Sequence, residues 1–361
     1  MIKLLLSVSL LLLSAEAFSQ INVSSLYESY YDDNIFNNSS KVADFINNVS
    51  LGAGYNIEST SNNIQFYYMG DFSYFQKNIY KSSSAHKIGF VDTYLFSSDG
   101  NPLNIGVNYT FKKNRDDFTL FDFNVLSLYA NYNHNLNETN ILLAGYVFNR
   151  NRFDNYSIFS HDENRIFAKY TGSFETKTTV ITGIEYDNKN YLNTAEEYSG
   201  SQQISQMKYY LQVAQSLTEK TGLSAHALIR KNLNSGTRFI TSNDLIYYEE
   251  EIFFDNYSND GYEMGLTLTH LFSSSLKVTI DFNYQTKNFL NLPAVDEYGY
   301  ETNNFRNDKQ IFTSLEVTKE FSDFIKGLYI SFSWSFINNS SNDAFYQYNN
   351  SIYSISFGWE L

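Results

Sequence analysis

Hydrophobic and polar residues alternate one for one along most of this 361-residue chain. This is the period of an extended strand whose two faces meet different surroundings. In the clearest run, residues 328–336, leucine, isoleucine, phenylalanine and tryptophan alternate with tyrosine and serine. A second run, residues 276–285, carries Lys277 and Asp281 on its polar face. Because the charged side chains are confined to one face, we expect that face to contact water.

The alternating runs are about 10 to 14 residues long, which is the length that a tilted strand needs to cross a lipid bilayer. Seven short polar turns and eight longer links separate them. The sequence therefore predicts an all-β fold, a transmembrane antiparallel up-and-down β-barrel of about 16 strands (range about 14 to 18). An even number of strands puts both chain ends beside the short turns, so we expect those turns in the periplasm and the long loops outside.

The N-terminal segment predicts export from the cytoplasm. Lys3 precedes the apolar run Leu4–Leu13, and the small residues Ala15, Ala17 and Ser19 follow at the spacing that a signal peptidase recognises. The apolar run is shorter than the roughly 20 residues that a membrane-spanning helix requires. We therefore predict a cleaved signal peptide at 1–19, a single barrel domain at 20–361, and a location in the bacterial outer membrane.

The composition agrees with a barrel and excludes several other classes of protein. The chain has no Cys, 31 Tyr, 31 Phe and two Pro, and its mean hydropathy is −0.36. Zero Cys excludes disulfide scaffolds and thiolate sites. The net charge of −14 argues against nucleic acid as a partner. A soluble sandwich or propeller is the alternative, and the lack of a repeated blade motif weighs against it.

The two faces of the predicted strands have different expected roles. The polar faces line the lumen, and the ends of the apolar faces carry aromatic residues that are typical of membrane interfaces. The candidate lumen-lining residues, which would set selectivity, are Glu58, Asp71, Lys112, Lys169, Glu185, His226, Arg230, Lys277, Asp281 and Lys287. The candidate aromatic girdle consists of Tyr74, Tyr94, Tyr132, Tyr186, Tyr284 and Trp359.

Two short segments resemble known protein families. Tyr353, Ile355, Phe357, Trp359 and Leu361 alternate with small or polar residues up to the chain end. This run resembles the terminal strand of porin-like outer-membrane β-barrel proteins, which implies recognition by the barrel-assembly machinery; the last residue is Leu instead of the usual aromatic.

The second resemblance lies near the other end of the chain. Residues 30–36 read Tyr-Tyr-Asp-Asp-Asn-Ile-Phe. They resemble the opening of barrel proteins found beside polysaccharide export systems, which implies a link to such a system. A simpler interpretation is a first extracellular loop built from residues that tolerate turn geometry.

The sequence offers few candidates for catalysis or metal binding. Ser82, Ser83 and Ser84 lie beside His86, and outer-membrane lipid hydrolases pair a Ser with a His, but no nucleophile-elbow motif accompanies them. No catalytic residue is assigned, so the lipid hydrolase stays a remote alternative. The five His share no ligand spacing, so neither a metal nor a cofactor is predicted. Acidic loop clusters such as 249–251 are interpreted as solvated surface, with calcium binding as the alternative.

These observations predict a passive porin-like channel or export conduit. The alternative from another class is a non-conducting structural or surface-binding barrel whose Tyr- and Asn-rich loops bind glycan or protein. The expected partners are outer-membrane lipid and lipopolysaccharide, the barrel-assembly machinery, and a small solute or polysaccharide. The segment 232–259 is the candidate for a loop that folds into the lumen, because its middle is apolar.

Overall fold

The strands form a closed antiparallel barrel. The structure, a computed structural model, describes residues 20–96, 101–193, 203–234, 259–273, 275–321 and 323–360. Each of its 16 strands pairs with its neighbours in the chain, and β1 closes the sheet against β16. The strands are β1 (Ile21–Asp32), β2 (Asp44–Glu58), β3 (Asn62–Phe75), β4 (Ser83–Leu95), β5 (Pro102–Asn114), β6 (Phe123–Asn137), β7 (Asn140–Phe153), β8 (His161–Phe174), β9 (Thr178–Tyr191), β10 (Gln203–Ser216), β11 (Thr221–Asn232), β12 (Asn259–Ser273), β13 (Leu276–Val295), β14 (Glu301–Glu320), β15 (Leu328–Ser341) and β16 (Tyr348–Glu360).

Closure of the barrel confirms the predicted fold class and strand number. In the closing pair, Tyr27 of β1 lies opposite Phe357 of β16, and their rings stack with centroids 6.5 Å apart. Within the cylinder, each described strand pairs with a neighbour on both sides, so its backbone hydrogen bonds are satisfied there, as a lipid environment requires. The predicted signal peptide at 1–19 and the terminal Leu361 lie outside the described residues.

The outward face of the barrel is apolar and exposed. Ile88 and Ile166 are more than half exposed although they lie in the middle of long strands. In water such a surface would be unfavourable, and in a bilayer it is the surface that contacts acyl chains. Other exposed residues of this face include Ile105, Leu128, Ile184, Leu211, Ile229, Leu266, Ile280, Phe332 and Ile355.

Glycines opposite aromatic residues shape the inward face. A Cβ built on Gly106 would lie 2.2 Å from the ring of Tyr129, its direct partner on β6. The ring therefore lies flat against the wall, over the space that a side chain would otherwise fill. The same arrangement occurs in the directly opposed pairs Tyr67 with Gly89, Phe167 with Gly145, His226 with Gly265, and Tyr329 with Gly358. These glycines keep bulky rings out of the lumen.

The connections differ between the two ends of the barrel. Links such as 59–61 and 138–139 are short, whereas the opposite end carries 33–43, 76–82 and 115–122. Short 3-10 helices lie in three of the longer links, at Ile79–Lys81, Asp116–Phe121 and Ser157–Phe159. The described residues contain no helix that is long and apolar enough to cross a membrane.

One predicted loop is wrong. The sequence predicts a long link at 288–304, but β13 continues to Val295 and β14 begins at Glu301, so this segment is a hairpin with a tight turn. In the turn, the Asp296 carboxylate accepts hydrogen bonds from the backbone N–H groups of Tyr298 and Tyr300, each at 2.9 Å, and Gly299 adopts a φ of 84°. The predicted infolding segment is described only at its ends, because residues 235–258 lie outside the described residues.

Candidate functional site: the lumen and its mouth

A cavity of about 710 Å³ lies inside the barrel at the end that carries the long links. Side chains from β1 to β5 and from β13 to β16 line the same space, so the cavity is enclosed by the cylinder. We call these strands the cavity wall. The lining residues are Glu28, Tyr30, Asp32, Ile35, Phe36, Asn37, Ile46, Ser73, Phe75, Lys81, Ser83, Lys112, Asn114, Phe118, Lys287, Gln310, Ser333, Ser335, Ile337, Tyr348, Ile352 and Ser354.

An apolar cluster forms one side of this cavity. Ile46 and Phe75 point inward from β2 and β3, and residues from the links 33–43 and 115–122 pack on them. Phe118 is 4% exposed, and its ring stacks with Phe36 at a centroid distance of 6.5 Å. We call this group the mouth cluster; it comprises Ile35, Phe36, Ile46, Phe75, Phe118 and Phe121, with Tyr30 and Val42 packed against it. Two links therefore fold over the mouth instead of extending into solvent.

The resemblance segment 30–36 builds part of the mouth cluster. The Asp32 carboxylate accepts a hydrogen bond from the backbone N–H of Asn34 at 2.8 Å, and the buried Asn34 amide donates to the Asn38 carbonyl at 2.8 Å. These bonds turn the chain so that Ile35 and Phe36 enter the cluster. The residues of this segment therefore have a structural role, which is to form the turn that brings Ile35 and Phe36 into the mouth cluster.

Lys81 fixes the same cluster from the link 76–82. Its ammonium donates to the Ile35 carbonyl at 2.5 Å and lies 4.8 Å from the centroid of the Phe36 ring and 5.2 Å from that of Phe75. A lysine that is 8% exposed is satisfied here by a carbonyl and by the negative faces of two rings. This cation therefore joins two links and does not face the cavity as a free charge.

The opposite side of the barrel, strands β8 to β12, carries ion pairs, and we call it the ion-paired wall. Asp187 is fully buried, and its carboxylate lies 2.8 Å from Nε of Arg165 and 2.8 Å from Nζ of Lys208. Lys208 also donates to Glu185 at 2.7 Å. Two cations and two carboxylates on three neighbouring strands therefore neutralise one another.

A second group of ion pairs continues this wall. Arg230 of β11 donates to Glu263 of β12 at 3.1 Å, and His226 lies 3.4 Å from the same carboxylate. The Asn283 amide of β13 also donates to Glu263, at 2.9 Å. Because Lys208 and Arg230 are direct cross-strand partners, the two groups form one continuous belt.

The cavity wall is instead rich in hydroxyl groups. The Ser333 and Ser354 hydroxyls are 2.7 Å apart, and those of Thr318 and Ser331 are 2.8 Å apart. Its buried ion pair, Arg306 with Asp308, lies close to the hairpin, where the guanidinium covers the Tyr346 ring at 3.3 Å. The polar character of this wall comes mainly from neutral groups.

Strand register places all ten predicted lumen residues on the inward face. Lys112 and Lys287 line the cavity, Asp71 accepts from the Ser50 hydroxyl at 2.6 Å, and Asp281 accepts from Thr267 at 2.6 Å and Ser314 at 3.1 Å. Glu185, His226 and Arg230 belong to the ion-paired wall. Glu58, Lys169 and Lys277 follow by alternation from Ile46, Arg165 and Asp281 on unbroken strands. Their role in selectivity stays a prediction.

Glu28 lines the cavity although it is not among the ten residues predicted to line the lumen. It lies on β1 and lines the cavity with Lys112 of β5. Neither side chain makes a hydrogen bond or an ion pair within the described part of the chain. The signal was weak because β1 carries polar residues such as Ser25 and Ser29 on its outward face as well as Glu28 on its inward face.

The six predicted girdle residues all lie on the outward face. Tyr94 and Tyr132 gather around Phe96 near the short turns, with ring centroids 5.0 and 6.1 Å from it. Tyr284 lies 6.0 Å from Tyr262 nearer the other end. The remaining members are Tyr74, Tyr186 and Trp359. Contact with the membrane interfaces stays a prediction.

The candidate hydrolase residues do not form a catalytic pair in this structure. His86 faces outward, where its Nδ1 is 2.9 Å from the Tyr68 hydroxyl and its ring stacks on Phe111 at 4.8 Å. Ser84 shares this face without a hydrogen bond to His86, and Ser83 lines the cavity. Among the described residues, no group of three or more His, Asp or Glu has an arrangement that could hold a metal ion.

Solved structures share this architecture. OccAB2 of Acinetobacter baumannii aligns with a TM-score of 0.51 at 10% identity over 96% of this chain and 98% of its own. OprD, an outer membrane protein of Pseudomonas aeruginosa, aligns with a TM-score of 0.51 at 9% identity over 95% of this chain and 94% of its own. The fold is that of an outer-membrane porin. OpdO of Pseudomonas aeruginosa aligns with a TM-score of 0.50 at 8% identity over 95% of this chain and 96% of its own.

These similarities concern the fold, since the identities are low. No protein-family model matches the sequence, and no curated protein matches it.

Proposed function

We propose that this chain is a passive, porin-like channel of the bacterial outer membrane. The observation that supports it most strongly is the combination of a closed 16-strand barrel with an inward face of charged and hydroxyl side chains. A barrel of this size leaves room for an aqueous path, and polar wall groups replace part of the hydration of a passing solute.

The glycine and aromatic pairs support the same proposal. Aromatic rings that projected from the wall would fill part of the lumen. The rings of Tyr67, Tyr129 and Tyr329 instead lie flat over glycines. Five such pairs distributed around the barrel keep its interior wide. A barrel that served only as a scaffold would be more stable with a closely packed interior.

Single-channel recording of the purified protein in planar bilayers tests the proposal. We expect discrete conductance steps in KCl whose size changes when inward charges are removed, for example in Lys112→Met. Lys177→Met in the exposed turn between β8 and β9 is the control, and it should leave the steps unchanged. A protein that is folded by circular dichroism and yet gives no steps would contradict the channel proposal.

A role in polysaccharide export is a narrower form of this proposal. It rests on the resemblance of residues 30–36, which build the mouth cluster. Deleting the gene and measuring surface polysaccharide tests it: loss of surface polysaccharide supports a conduit, and an unchanged amount contradicts it.

A non-conducting barrel that binds glycan at its surface is the second candidate. The observation that favours it is the tip of the β13–β14 hairpin, where Tyr298 is 81% and Tyr300 is 72% exposed on a hydrogen-bonded turn. Rigid, exposed tyrosines present contact area at low entropic cost. A glycan array that compares the native protein with Tyr298→Ser/Tyr300→Ser tests this candidate, and equal signals from both would contradict it.

A further inference from the structure

We propose that the lumen binds acidic oligosaccharides, which are chains of sugar rings that carry carboxylates, on two tyrosine rings that lie flat on its wall. This inference deepens the proposed function, on which it rests, by naming the class of solute. It combines the two rings, a neutral amide beside one of them and a lysine beside the other.

The two rings, which we call the tyrosine pair, belong to Tyr67 of β3 and Tyr129 of β6. Cζ of Tyr67 lies 2.2 Å from the position that a Cβ on Gly89 would occupy. Cζ of Tyr129 lies at the same distance from the Cβ position of Gly106. Both glycines are buried, whereas both tyrosines are partly exposed. Each ring therefore has one face against the wall and the other toward the lumen.

The strand register places the two rings side by side. Gly89 of β4 pairs directly with Asn108 of β5, which is two residues from Gly106 on the same strand. Diagonal neighbours of this kind lie about 7 to 8 Å apart. The phenol groups of the pair are also close enough to interact electrostatically. A solute with a single ring covers one tyrosine, whereas a chain of rings covers both.

The surroundings of the pair favour sugar rings. The face of a tyrosine ring is electron-rich, and the C–H groups on one face of a sugar ring pack against it while the sugar hydroxyls project from the rim. Asn131 lies two residues beyond Tyr129 on the inward face of β6. Its amide oxygen accepts from Asn104 at 2.8 Å, and its N–H groups donate to no group in the described part of the chain. The site thus offers stacking faces and a neutral donor for hydroxyl groups.

Lys87 of β4 adds a positive charge at the other end of the pair. Its ammonium lies 5.9 Å from the centroid of the Tyr67 ring and makes no hydrogen bond or ion pair within the described part of the chain. Strands β3 to β6, which the structure describes along their full length, carry two other inward charges, Asp71 and Lys112. Asp71 lies four residues from Tyr67 toward the mouth, where it accepts a hydrogen bond from a serine of β2 at 2.6 Å. The net inward charge of these strands is positive, so a sugar carboxylate is favoured beside the pair.

The experiment measures binding to the purified full-length barrel by isothermal titration calorimetry, at low salt and in a detergent without a sugar headgroup. The probes are trigalacturonate, maltotriose, which has three rings and no charge, and benzoate, which has one ring and a carboxylate. We expect trigalacturonate to bind about tenfold more tightly than maltotriose, because only the former makes a charge-assisted hydrogen bond with Lys87. Benzoate should bind more weakly than trigalacturonate, because it covers one tyrosine.

Substitutions assign the contacts. Tyr67→Leu and Tyr129→Leu should each weaken the binding of both trisaccharides about fivefold, because a stacking face is lost. Tyr67→Phe keeps the ring and should retain binding of both. Lys87→Met should weaken trigalacturonate binding about tenfold and leave maltotriose binding unchanged.

Two control variants should bind both trisaccharides as the native protein does. Tyr329→Leu is the matched control for the rings, because Tyr329 of β15 also lies over a glycine, Gly358, but outside strands β3 to β6. Lys177→Met removes a positive charge from the exposed turn between β8 and β9. Circular dichroism of every variant shows whether the barrel is folded.

The outcomes separate this inference from the channel proposal. Equal affinity for the two trisaccharides, tighter binding of benzoate, no binding at millimolar concentration, or equal losses in Tyr67→Leu and Tyr329→Leu would overturn it, even if the barrel conducts. Binding of trigalacturonate that depends on the tyrosine pair and Lys87, in a barrel that gives no conductance steps, would support the site and contradict the channel.

Discussion

The two sides of the lumen share the same alternation of polar and apolar residues along their strands, but they differ in how their charged side chains are paired. On the ion-paired wall, Arg165 and Lys208 each lie 2.8 Å from the Asp187 carboxylate, so these charges neutralise one another. On the cavity wall, Glu28 and Lys112 stay apart, and serine hydroxyls pair among themselves. The difference teaches that a charged lumen residue is neutralised by its neighbours in one part of the wall and left without an ion pair among the described residues in another, and that strand register decides which.

The largest effect is expected from breaking the ion-paired wall. Asp187→Ala removes the fully buried carboxylate shared by Arg165 and Lys208, so both cations lose this partner and retain the more exposed Glu185. We expect the free energy of unfolding to fall by roughly 3 kcal/mol, measured by urea titration in lipid vesicles. Asp71→Ala on the cavity wall removes a carboxylate bonded to the exposed Ser50 hydroxyl and should cost less than about 1 kcal/mol. Equal losses would show that the two walls do not differ as described.

An intermediate effect is expected from a feature that both sides share. Gly106→Val places a side chain where the Tyr129 ring lies, with the Cβ position 2.2 Å from the ring. The ring must move into the lumen, so conductance should fall and the unfolding free energy should drop by about 1 to 3 kcal/mol. Gly145→Val displaces Phe167 of the ion-paired wall and should have a similar effect, since the contact involves no charge.

Two controls accompany this prediction. Gly222→Val should be neutral for conductance, because no atom lies within 4 Å of its Cβ position. The double variant Gly106→Val/Tyr129→Ala should recover the conductance, because the displaced ring is gone. If the double variant conducts no better than the single one, displacement of the ring is not the cause.

The smallest effect is expected from the hydroxyl pairs of the cavity wall. Ser333→Ala leaves the Ser354 hydroxyl without its partner at 2.7 Å and should cost about 1 kcal/mol of unfolding free energy. Replacing both serines by Ala should be closer to neutral, because no polar group is then left unsatisfied. A loss in the double variant that equals twice the loss in the single one would argue that the two hydroxyls do not act as a pair.

Much of the barrel could be predicted because its pattern is local. Residues 276–285 and 328–336 show their two faces without reference to any other segment, and the structure has them in β13 and β15. The hairpin formed by the end of β13 and the start of β14 was not predicted, because Asn288 and Pro293 suggest a loop. In the structure, irregular pairing accommodates both residues within the hairpin.

The site was predicted in part. Lys112 and Lys287 were expected in the lumen and line the cavity, because alternation assigns a face to each residue. Glu28 and the mouth cluster were missed. Phe36 and Phe118 meet although they come from different links, and no local pattern encodes such a contact.

The sequence by itself determined which residues face the lipid and which face the lumen, because a strand has a period of two and a barrel has only two sides. Only the tertiary structure decided which inward charges neutralise one another, because that depends on strand register and on neighbours distant in the chain. Register joined Asp187 to Arg165 and Lys208, and the links that fold over the mouth left Glu28 and Lys112 facing a common cavity.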